Sequence, residues 1–303
     1  MEHLDDLTLP TDTRTAVIGL GQMGRGIARN LDSHGLLVAA NDLNKSAFLK
    51  AEFTDKVQNL EIEKLLAEAS VVIFAVPSTE QIAQVLGTHQ GADGQVIVDL
   101  TTSHPDQSRK LEANLAGRGF WYIDSAMTGG ATGADAGSLT LMVGGADQIV
   151  DWLRPVLETF SSKIFHLGPA GFGHAMKLVH NLILHSSFLA TCEGLRLADH
   201  AGIDVQQAVD VLNSGNARSF VTETRFPRDI LSGGMMARSQ ISNLEKDLGL
   251  AQQFARQLEA KSPYAAMTHN ILAKALEAGH ADVDFSHLFP LYDSLVDQLE
   301  NDP

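Results

Sequence analysis

Cysteine is almost absent from this chain of 303 residues, since Cys192 is the only one, and an internal disulfide is therefore excluded. Cys192 lies in an apolar helical stretch, and we interpret it as a small packed residue rather than a nucleophile. Basic residues are also few, with 22 Lys and Arg against 37 Asp and Glu, which gives a net charge of −15. A surface of that sign repels nucleic acid and anionic lipid, so neither is an expected partner.

Long hydrophobic runs are missing as well. No apolar stretch reaches the roughly 18 uninterrupted residues that predict a membrane-spanning helix. The first residues, MEHLDDLTLPTDTR, are acidic and lack the basic start and apolar segment of an export signal. We therefore expect a cytoplasmic protein, not bound to a membrane, with a short flexible leader at residues 1–13.

Apolar and β-branched runs alternate with helix-length spacers between residues 14 and 167. The runs that predict strands are TAVIGL, LLVAAND, SVVIFAV, QVIVDL, GFWYIDS and LTLMVGG. This alternation is typical of βαβ units with a mainly parallel sheet, whereas residues 168–303 carry long helical patterns. The sequence predicts a Rossmann-type α/β dinucleotide-binding domain at 14–167. An all-α substrate and oligomerisation domain at 168–303 is expected to begin with a long interdomain helix over about 171–201.

Three glycines, Gly19, Gly21 and Gly24, follow the first predicted strand in the spacing G-x-G-x-x-G and precede a predicted helix. In dinucleotide-binding folds the first glycine allows a tight turn, and the second lets a pyrophosphate approach the backbone. The third glycine lets the helix pack closely on the strand. We therefore expect this turn, with Gln22 and Met23 inside it, to bind a dinucleotide at the helix N-terminus.

Asp42 ends the next predicted strand, 18 residues after Gly24, where an acidic side chain accepts hydrogen bonds from the ribose hydroxyls of an adenosine. A carboxylate there repels the 2′-phosphate of NADP, and the next residue is Leu43 rather than an arginine that pairs with this phosphate. NAD is therefore the favoured cofactor. Lys45 follows closely enough to keep NADP as an alternative.

The segment GFGHAMKLVHN places Lys177 and Asn181 four residues apart, so the amine and the amide share one face of a predicted helix. From these residues alone two interpretations remain open. The lysine extends its amine to the surface beside a cap-like amide, or the two residues form half of an active site.

Five blocks occur in a fixed order along residues 14–298: VIGLGQMGRGIARNL, DLTTSHP, IDSAMTGGATGADAGSLTLMVGG, GPAGFGHAMKLVHN and EKDLGLA. Together they resemble the β-hydroxyacid dehydrogenase family, which includes the 3-hydroxyisobutyrate, tartronate-semialdehyde and threonate dehydrogenases. The resemblance implies an NAD(P)-dependent oxidoreductase. Its expected reaction interconverts a short β-hydroxy acid, or a phosphonate or sulfonate analogue, and the corresponding carbonyl compound.

The resemblance makes Lys177 the catalytic acid and base, which contacts the substrate hydroxyl or carbonyl, and makes Asn181 the residue that orients the substrate and the lysine. It assigns the substrate carboxylate to Thr128, Gly129 and Gly130, which match the family's D-x-P-V-S-G-G turn. The chemistry agrees, because oxidation of an alcohol needs a base for the hydroxyl proton. Exposed N–H groups of two glycines also cradle a carboxylate despite an acidic surface.

The resemblance further places Lys246 of the K-D-L-G block at the nicotinamide end of the site, in reach of cofactor and substrate, with Thr102 and Pro77 beside the nicotinamide ribose. One departure concerns the family's Pro-Val-Ser, which is Ala-Met-Thr at residues 126–128. The change keeps a hydroxyl group but loses the rigid proline, so the substrate is not assigned.

Three histidines, His174, His180 and His185, lie close to the proposed catalytic pair. No acidic or cysteine partner completes a metal-ligand set at the required spacing, so we expect no metal and interpret the imidazoles as lining or flanking the pocket. Arg218 either grips a second anionic group of the substrate or is an exposed cation at a helix end.

Two other functions stay open. Imine reductases share this scaffold but generally have another residue in place of Lys177, and a catalytically silent dinucleotide sensor would bind NAD without turnover. The expected partners are a small anionic substrate and further copies of the chain, as a homodimer or homotetramer. Oligomerisation is expected because the all-helical half would otherwise expose more apolar surface than a monomer tolerates.

Overall fold

The structure, a computed structural model, describes residues 13–92 and 94–300, so the leader predicted at residues 1–13 lies outside the described residues except for its last position. The chain divides into two compact units, one that ends at Lys177 and one that begins at Leu178. The domain boundary that the sequence predicts, between residues 167 and 168, is based on a change in sequence pattern. This division into compact units does not test it, and it stays a prediction.

The first unit contains a single eight-stranded sheet in the order β3-β2-β1-β4-β5-β6-β7-β8. The strands are β1 (Thr15–Ile18), β2 (Leu37–Asn41), β3 (Gln58–Asn59), β4 (Val71–Phe74), β5 (Gln95–Asp99), β6 (Phe120–Thr128), β7 (Leu139–Gly144) and β8 (Ser161–His166). All neighbouring strands are parallel except β6 and β7. The predicted Rossmann-type, mainly parallel sheet is confirmed.

The inner strands are buried on both faces. Along β4 successive residues alternate between two hydrophobic clusters, with Val71 and Ile73 in one cluster and Val72 and Phe74 in the other. This two-sided burial explains why the strands appear in the sequence as continuous apolar runs rather than as alternating patterns. The order of the sheet reverses direction between β1 and β4, and this is the switch point at which ligands bind in open α/β sheets.

Helices connect the strands and form the whole of the second unit. The helices before residue 170 are α1 (Gln22–Ser33), α2 (Lys45–Ala51), α3 (Ile62–Glu68), α4 (Thr79–Leu86), α5 (Pro105–Ala116), α6 (Gly130–Asp135) and α7 (Asp147–Leu157). Those that follow are α8 (Phe172–His200), α9 (Val205–Ser214), α10 (Ile241–Gln257), α11 (Pro263–Glu277) and α12 (Leu288–Glu300). The predicted long helix is therefore confirmed as α8, and no helix in the described part of the chain is long and apolar enough to cross a membrane.

The second unit has a core of its own, centred on aromatic rings. The ring of Phe188 lies 5.9 Å from that of Phe226 and 5.1 Å from that of Phe285. A π-helix over Val221–Leu231 and a 3-10 helix over Phe285–His287 complete this unit. The predicted all-α character is confirmed.

Several elements were not recognised in the sequence, among them two strands and the π-helix. The edge strand β8 has the sequence SSKIFH and buries only its first residue fully, so it shows no apolar run. The short β3 has two exposed residues. The π-helix contains Pro227, a residue that normally ends a helix, and the sequence made no prediction for this segment.

Candidate functional site

The glycine turn between β1 and α1 has the geometry of a dinucleotide-binding loop. Gly19 adopts φ +95°, and a Cβ at this position would lie 2.5 Å from the carbonyl oxygen of Ala75. A Cβ on Gly24 would overlap the carbonyl oxygen of Gly19. Gly19 and Gly24 are thus glycines because the protein itself leaves no room for a side chain.

Gly21 differs from the other two glycines of this turn, because no described atom lies within 4 Å of the position of a Cβ. It is the N-cap residue of α1, and no side chain caps the first turn of the helix. Open space beside helix N–H groups without a side-chain cap fits a pyrophosphate. Gln22 and Met23, which the sequence placed in the turn before the helix, are the first two residues of α1.

Asp42 lies directly after β2 and is joined to the glycine turn. Its Oδ2 accepts a hydrogen bond from the N–H of Leu20 at 2.6 Å, and its Oδ1 accepts one from the N–H of Asn44 at 2.7 Å. The next residue is a fully exposed leucine, Leu43, so no arginine or other cation follows Asp42 immediately. These two bonds hold the carboxylate beside the glycine turn, and that it accepts ribose hydroxyls and repels a 2′-phosphate stays a prediction.

Pro77 and Thr102 lie in the loops that follow β4 and β5, at the carboxyl edge of the sheet. A buried carboxylate, Asp99, ties these loops together, because its Oδ2 accepts from the hydroxyl of Thr79 and its Oδ1 from the N–H of Thr101, both at 2.8 Å. The sequence predicted Pro77 and Thr102 but not Asp99. That the predicted residues contact a nicotinamide ribose stays a prediction.

The turn at Thr128, Gly129 and Gly130 joins the end of β6 to α6. Gly129 has φ +124° and Gly130 has φ +64°, a backbone that residues with a side chain rarely adopt. No described atom lies within 4 Å of a Cβ on Gly130, so there is open space at this residue. Ala126, which replaces the family's proline, is fully buried in β6.

Lys177, in the second turn of α8, points its amine at this turn. Its Nζ donates a hydrogen bond to the carbonyl oxygen of Met127 at 2.7 Å, and Met127 directly precedes Thr128. The proposed acid and base is thus adjacent to the proposed carboxylate-binding turn within the first unit. The side chain is half-buried, which reduces hydration of the amine.

Asn181 and Lys246 belong to the second unit, where Asp247 connects them. Asn181 is 4% exposed, and its Nδ2 donates to Oδ2 of Asp247 at 2.7 Å. Nζ of Lys246 lies 3.4 Å from Oδ1 of the same carboxylate. Asp247 was not predicted, although its position directly after Lys246 in the K-D-L-G block was a usable signal.

Because the carboxylate of Asp247 accepts a hydrogen bond from Asn181, the direction of the bond between Asn181 and His180 is also determined. An ionised carboxylate only accepts, so Asn181 presents its NH₂ group to Asp247 and its carbonyl oxygen to His180. Nδ1 of His180 lies 2.9 Å from that oxygen and must therefore carry a proton. The chain of contacts from His180 through Asn181 to Asp247 gives the amide one orientation.

The other candidate residues lie as follows. Arg218 is exposed, and its Nε lies 3.6 Å from Oε1 of Glu223, so its guanidinium forms a surface ion pair, which contributes little to stability. His174 is fully buried in the first unit, and His185 is 8% exposed in the second. Among residues 13–92 and 94–300, no group of three or more His, Cys, Asp or Glu side chains is arranged to hold a metal ion.

Two protein-family models match the chain. The model of the NAD-binding domain of 6-phosphogluconate dehydrogenase matches residues 14–168. A model described as NAD-binding of NADP-dependent 3-hydroxyisobutyrate dehydrogenase matches residues 171–292. Together the two models match both halves of the chain, one after the other.

Individual relatives are similar over nearly their whole length. The 2-(hydroxymethyl)glutarate dehydrogenase of Eubacterium barkeri is 30% identical over 285 residues, which are 92% of this chain and 94% of the relative. The NAD-dependent L-serine dehydrogenase of Pseudomonas aeruginosa is 30% identical over 294 residues, 92% of this chain and 97% of the relative. The solved structure of Mycobacterium tuberculosis 3-hydroxyisobutyrate dehydrogenase with L-serine has a TM-score of 0.84 and 29% identity, and the match covers 93% of this chain and 99% of that one.

Proposed function

The chain belongs to the β-hydroxyacid dehydrogenase family, and from that premise we propose that it interconverts a short β-hydroxy acid and its carbonyl compound with Lys177 as general base and acid. The resemblance stated from the sequence is confirmed, and the chain is an NAD(P)-dependent hydroxyacid dehydrogenase. The identity of the hydroxy acid and the roles of individual residues are our proposals.

The cofactor is held by the residues of the glycine turn and by Asp42. The open position at Gly21 and the uncapped first turn of α1 support binding of the pyrophosphate there. When bound, the nicotinamide supplies the hydride acceptor for oxidation and the hydride for reduction. Asp42 favours NAD, because its carboxylate accepts both ribose hydroxyls and repels a 2′-phosphate.

Lys177 takes the hydroxyl proton during oxidation and returns it during reduction. The observation that carries this assignment is the hydrogen bond of 2.7 Å between its Nζ and the carbonyl oxygen of Met127. This hydrogen bond directs one N–H of the amine at strand β6. It therefore restricts the orientation in which the amine meets a substrate bound beside Thr128. Such positioned proton transfer contributes roughly 10²- to 10⁴-fold to a rate.

The substrate carboxylate binds to the Thr128 hydroxyl and to the N–H groups of Gly129 and Gly130. These local donors are needed because a net charge of −15 repels an anion at long range. A phosphonate or sulfonate head group offers the same acceptor oxygens and fits the same donors. Asn181 orients the substrate hydroxyl and the lysine, Lys246 approaches the nicotinamide end, and Arg218 takes a second anionic group where the substrate has one.

The proposal is tested by initial rates of NAD and NADP reduction with short 3-hydroxy acids, β-hydroxy amino acids and 2-hydroxyalkyl phosphonates. Lys177→Ala should lower kcat on the best substrate by about 10²- to 10⁴-fold and leave NADH affinity within about threefold. Lys163→Ala is the matched control, because Lys163 is an exposed lysine of β8. Turnover of Lys177→Ala at the wild-type rate would overturn the role of this lysine.

A further inference from the structure

The first unit buries a cluster of polar side chains that the proposed reaction does not use. Asp99 and Asp124 are register partners on the neighbouring strands β5 and β6, and both are fully buried. His174 and Ser108 are also fully buried, and Tyr122 is 4% exposed. Buried polar groups destabilise a fold unless they are paired, so the arrangement of this cluster is constrained by its own hydrogen bonds.

Asp124 holds the beginning of α8. Its Oδ1 accepts from the N–H of Gly171 at 2.5 Å, and its Oδ2 accepts from the N–H of His174 at 2.7 Å. A carboxylate at this place satisfies helix N–H groups that have no partner within the helix. A Cβ on Gly173 would overlap the carbonyl oxygen of Met142 in β7, so the backbones of β7 and α8 are in direct contact.

The ring of His174 links three elements. Its Nδ1 is hydrogen-bonded to Oγ of Ser108 in α5 at 2.6 Å, whereas its Nε2 lies 3.7 Å from Oδ1 of Asp99 in β5 and makes no hydrogen bond among the described residues. Nδ1 is also 4.0 Å from Oδ2 of Asp124 in β6. Burial raises the pKa of Asp124, and the nearby charge of His174 opposes this rise. The imidazole therefore lies between two buried carboxylates.

A second tie joins the same strand to the same helix. It is the hydrogen bond from Nζ of Lys177 to the carbonyl oxygen of Met127. Asp124 and Met127 are three residues apart on β6, and His174 and Lys177 are three residues apart on α8. The hydrogen bond from the backbone N–H of His174 to Asp124 therefore holds the helix three residues before the amine.

We propose that His174, supported by Asp124, is a positioning residue for Lys177. Its ring is hydrogen-bonded to Ser108 of α5 and lies between the carboxylates of Asp99 and Asp124, and it thereby holds the start of α8, and with it Nζ of Lys177, beside Met127 and the turn at 128–130. The inference rests on the proposed role of Lys177. Misplacing a reacting group by about 1 Å costs about 100-fold in rate, so loss of the ring should appear in kcat.

The test compares His174→Ala with His174→Asn in the full chain. Alanine removes every contact of the ring, whereas the amide of asparagine lies close to the position of Nδ1 and keeps a hydrogen bond with Ser108. We expect kcat of His174→Ala to fall by about 10- to 100-fold, with KM for the hydroxy acid and Kd for NADH each within about threefold. His174→Asn should recover most of kcat.

Thr268→Val is the matched control for lost stability. Thr268 is 4% exposed in the second unit, and its hydroxyl is hydrogen-bonded to Ser186 at 2.8 Å, so the variant loses one buried hydrogen bond. Its Tm should fall while kcat per folded molecule stays unchanged. The inference is overturned if kcat of His174→Ala per folded molecule is within about threefold of wild type, or if Thr268→Val loses kcat in the same proportion to its loss of Tm. Should His174→Ala fail to fold, Ser108→Ala decides in its place, because it removes the partner of Nδ1 and keeps the ring.

Lys177→Ala separates this inference from the proposed function. Rescue of Lys177→Ala by an added primary amine supports the lysine as base, and unchanged kcat in His174→Ala would then overturn the positioning role alone. Wild-type turnover by Lys177→Ala without an amine would overturn the proposed role of the lysine and, with it, the inference.

Discussion

Asp42 and Leu20 are joined by a hydrogen bond of 2.6 Å from the backbone N–H of Leu20 to Oδ2 of the carboxylate. Leu20 lies between the first two glycines of the turn after β1, and Asp42 directly follows β2. The residue proposed to bind the ribose is thus tied to the turn proposed to bind the pyrophosphate. Changes at Asp42 should therefore affect both the affinity for the cofactor and the choice between NAD and NADP.

Replacement of Asp42 by alanine should weaken NADH binding by about tenfold or more, because a hydrogen bond to a charged group contributes about 1.5–3 kcal/mol. NADPH binding should weaken less or improve, since the repulsion of the 2′-phosphate is lost. Fluorescence titration of both reduced cofactors measures the two dissociation constants. The control is Lys45→Ala, in the first residue of α2, which should leave NADH affinity unchanged. An unaltered ratio of NADH to NADPH affinity in Asp42→Ala would rule out this role of the carboxylate.

Gly24→Ala should lower stability, whereas Gly21→Ala should weaken cofactor binding and leave stability unchanged. A Cβ on Gly24 overlaps backbone, so Gly24→Ala should lower the free energy of unfolding by about 1–3 kcal/mol or more. A Cβ on Gly21 meets no described atom within 4 Å, and Gly21 has φ −64°, which alanine adopts without strain. Gly21→Ala should therefore keep its Tm and lose affinity for NADH. Equal losses of Tm in both variants would show that Gly21 is constrained by the protein and not by a ligand.

The sequence predicted those parts of the fold and site that are local. The glycine spacing, Asp42 after β2 and the block around Lys177 are patterns within short segments, and each lies on the element where it was expected. Inner strands were recognised because burial on both faces makes them continuously apolar. Edge strand β8 was missed because SSKIFH has only partial burial.

Contacts between distant segments could not be predicted in this way. Asp99 and Asp124 are 25 positions apart and become register partners only when β5 and β6 align. Asp247 meets Asn181 across 66 positions. The sequence marks Asp247 by its place in the K-D-L-G block, but it does not show which distant residue each of these carboxylates pairs with. The buried carboxylates beside the candidate site were therefore missed, and the predicted ligand contacts all come from local motifs.

Asp284 should make stability depend on pH in acid. Burial raises the pKa of Asp284, but hydrogen bonds from the N–H groups of Ser286, Ala237 and Arg238 outweigh this effect and lower it below its ordinary value. A carboxyl group whose pKa is lowered in the folded state stabilises the fold above its unfolded pKa, about 3.9, and this contribution is lost as the pH falls through the folded pKa.

Asp284→Asn should accordingly lower the free energy of unfolding by about 1 kcal/mol at neutral pH, as for other capping residues. The difference from wild type should shrink below about pH 4. Urea unfolding at a series of pH values measures both quantities. Asp282→Asn, at an exposed position two residues earlier, is the control and should change stability by less than about 0.5 kcal/mol. A difference that is the same at every pH would exclude ionised Asp284 as its cause.

Exchanging Asn181 and Asp247 tests whether their hydrogen bond orients the amide. Asn181→Asp alone places two carboxylates where the observed donor–acceptor distance is 2.7 Å, and Asp247→Asn alone places two amides there and removes the partner of Lys246. Both single variants should lose stability and kcat. The double variant restores an amide facing a carboxylate, so the two changes should couple by about 0.5–3 kcal/mol.

Tm and kcat of the four proteins measure this coupling. If the effects of the single changes simply add in the double variant, then Asp247 does not act through Asn181, and the orientation of the amide must be set by His180 alone.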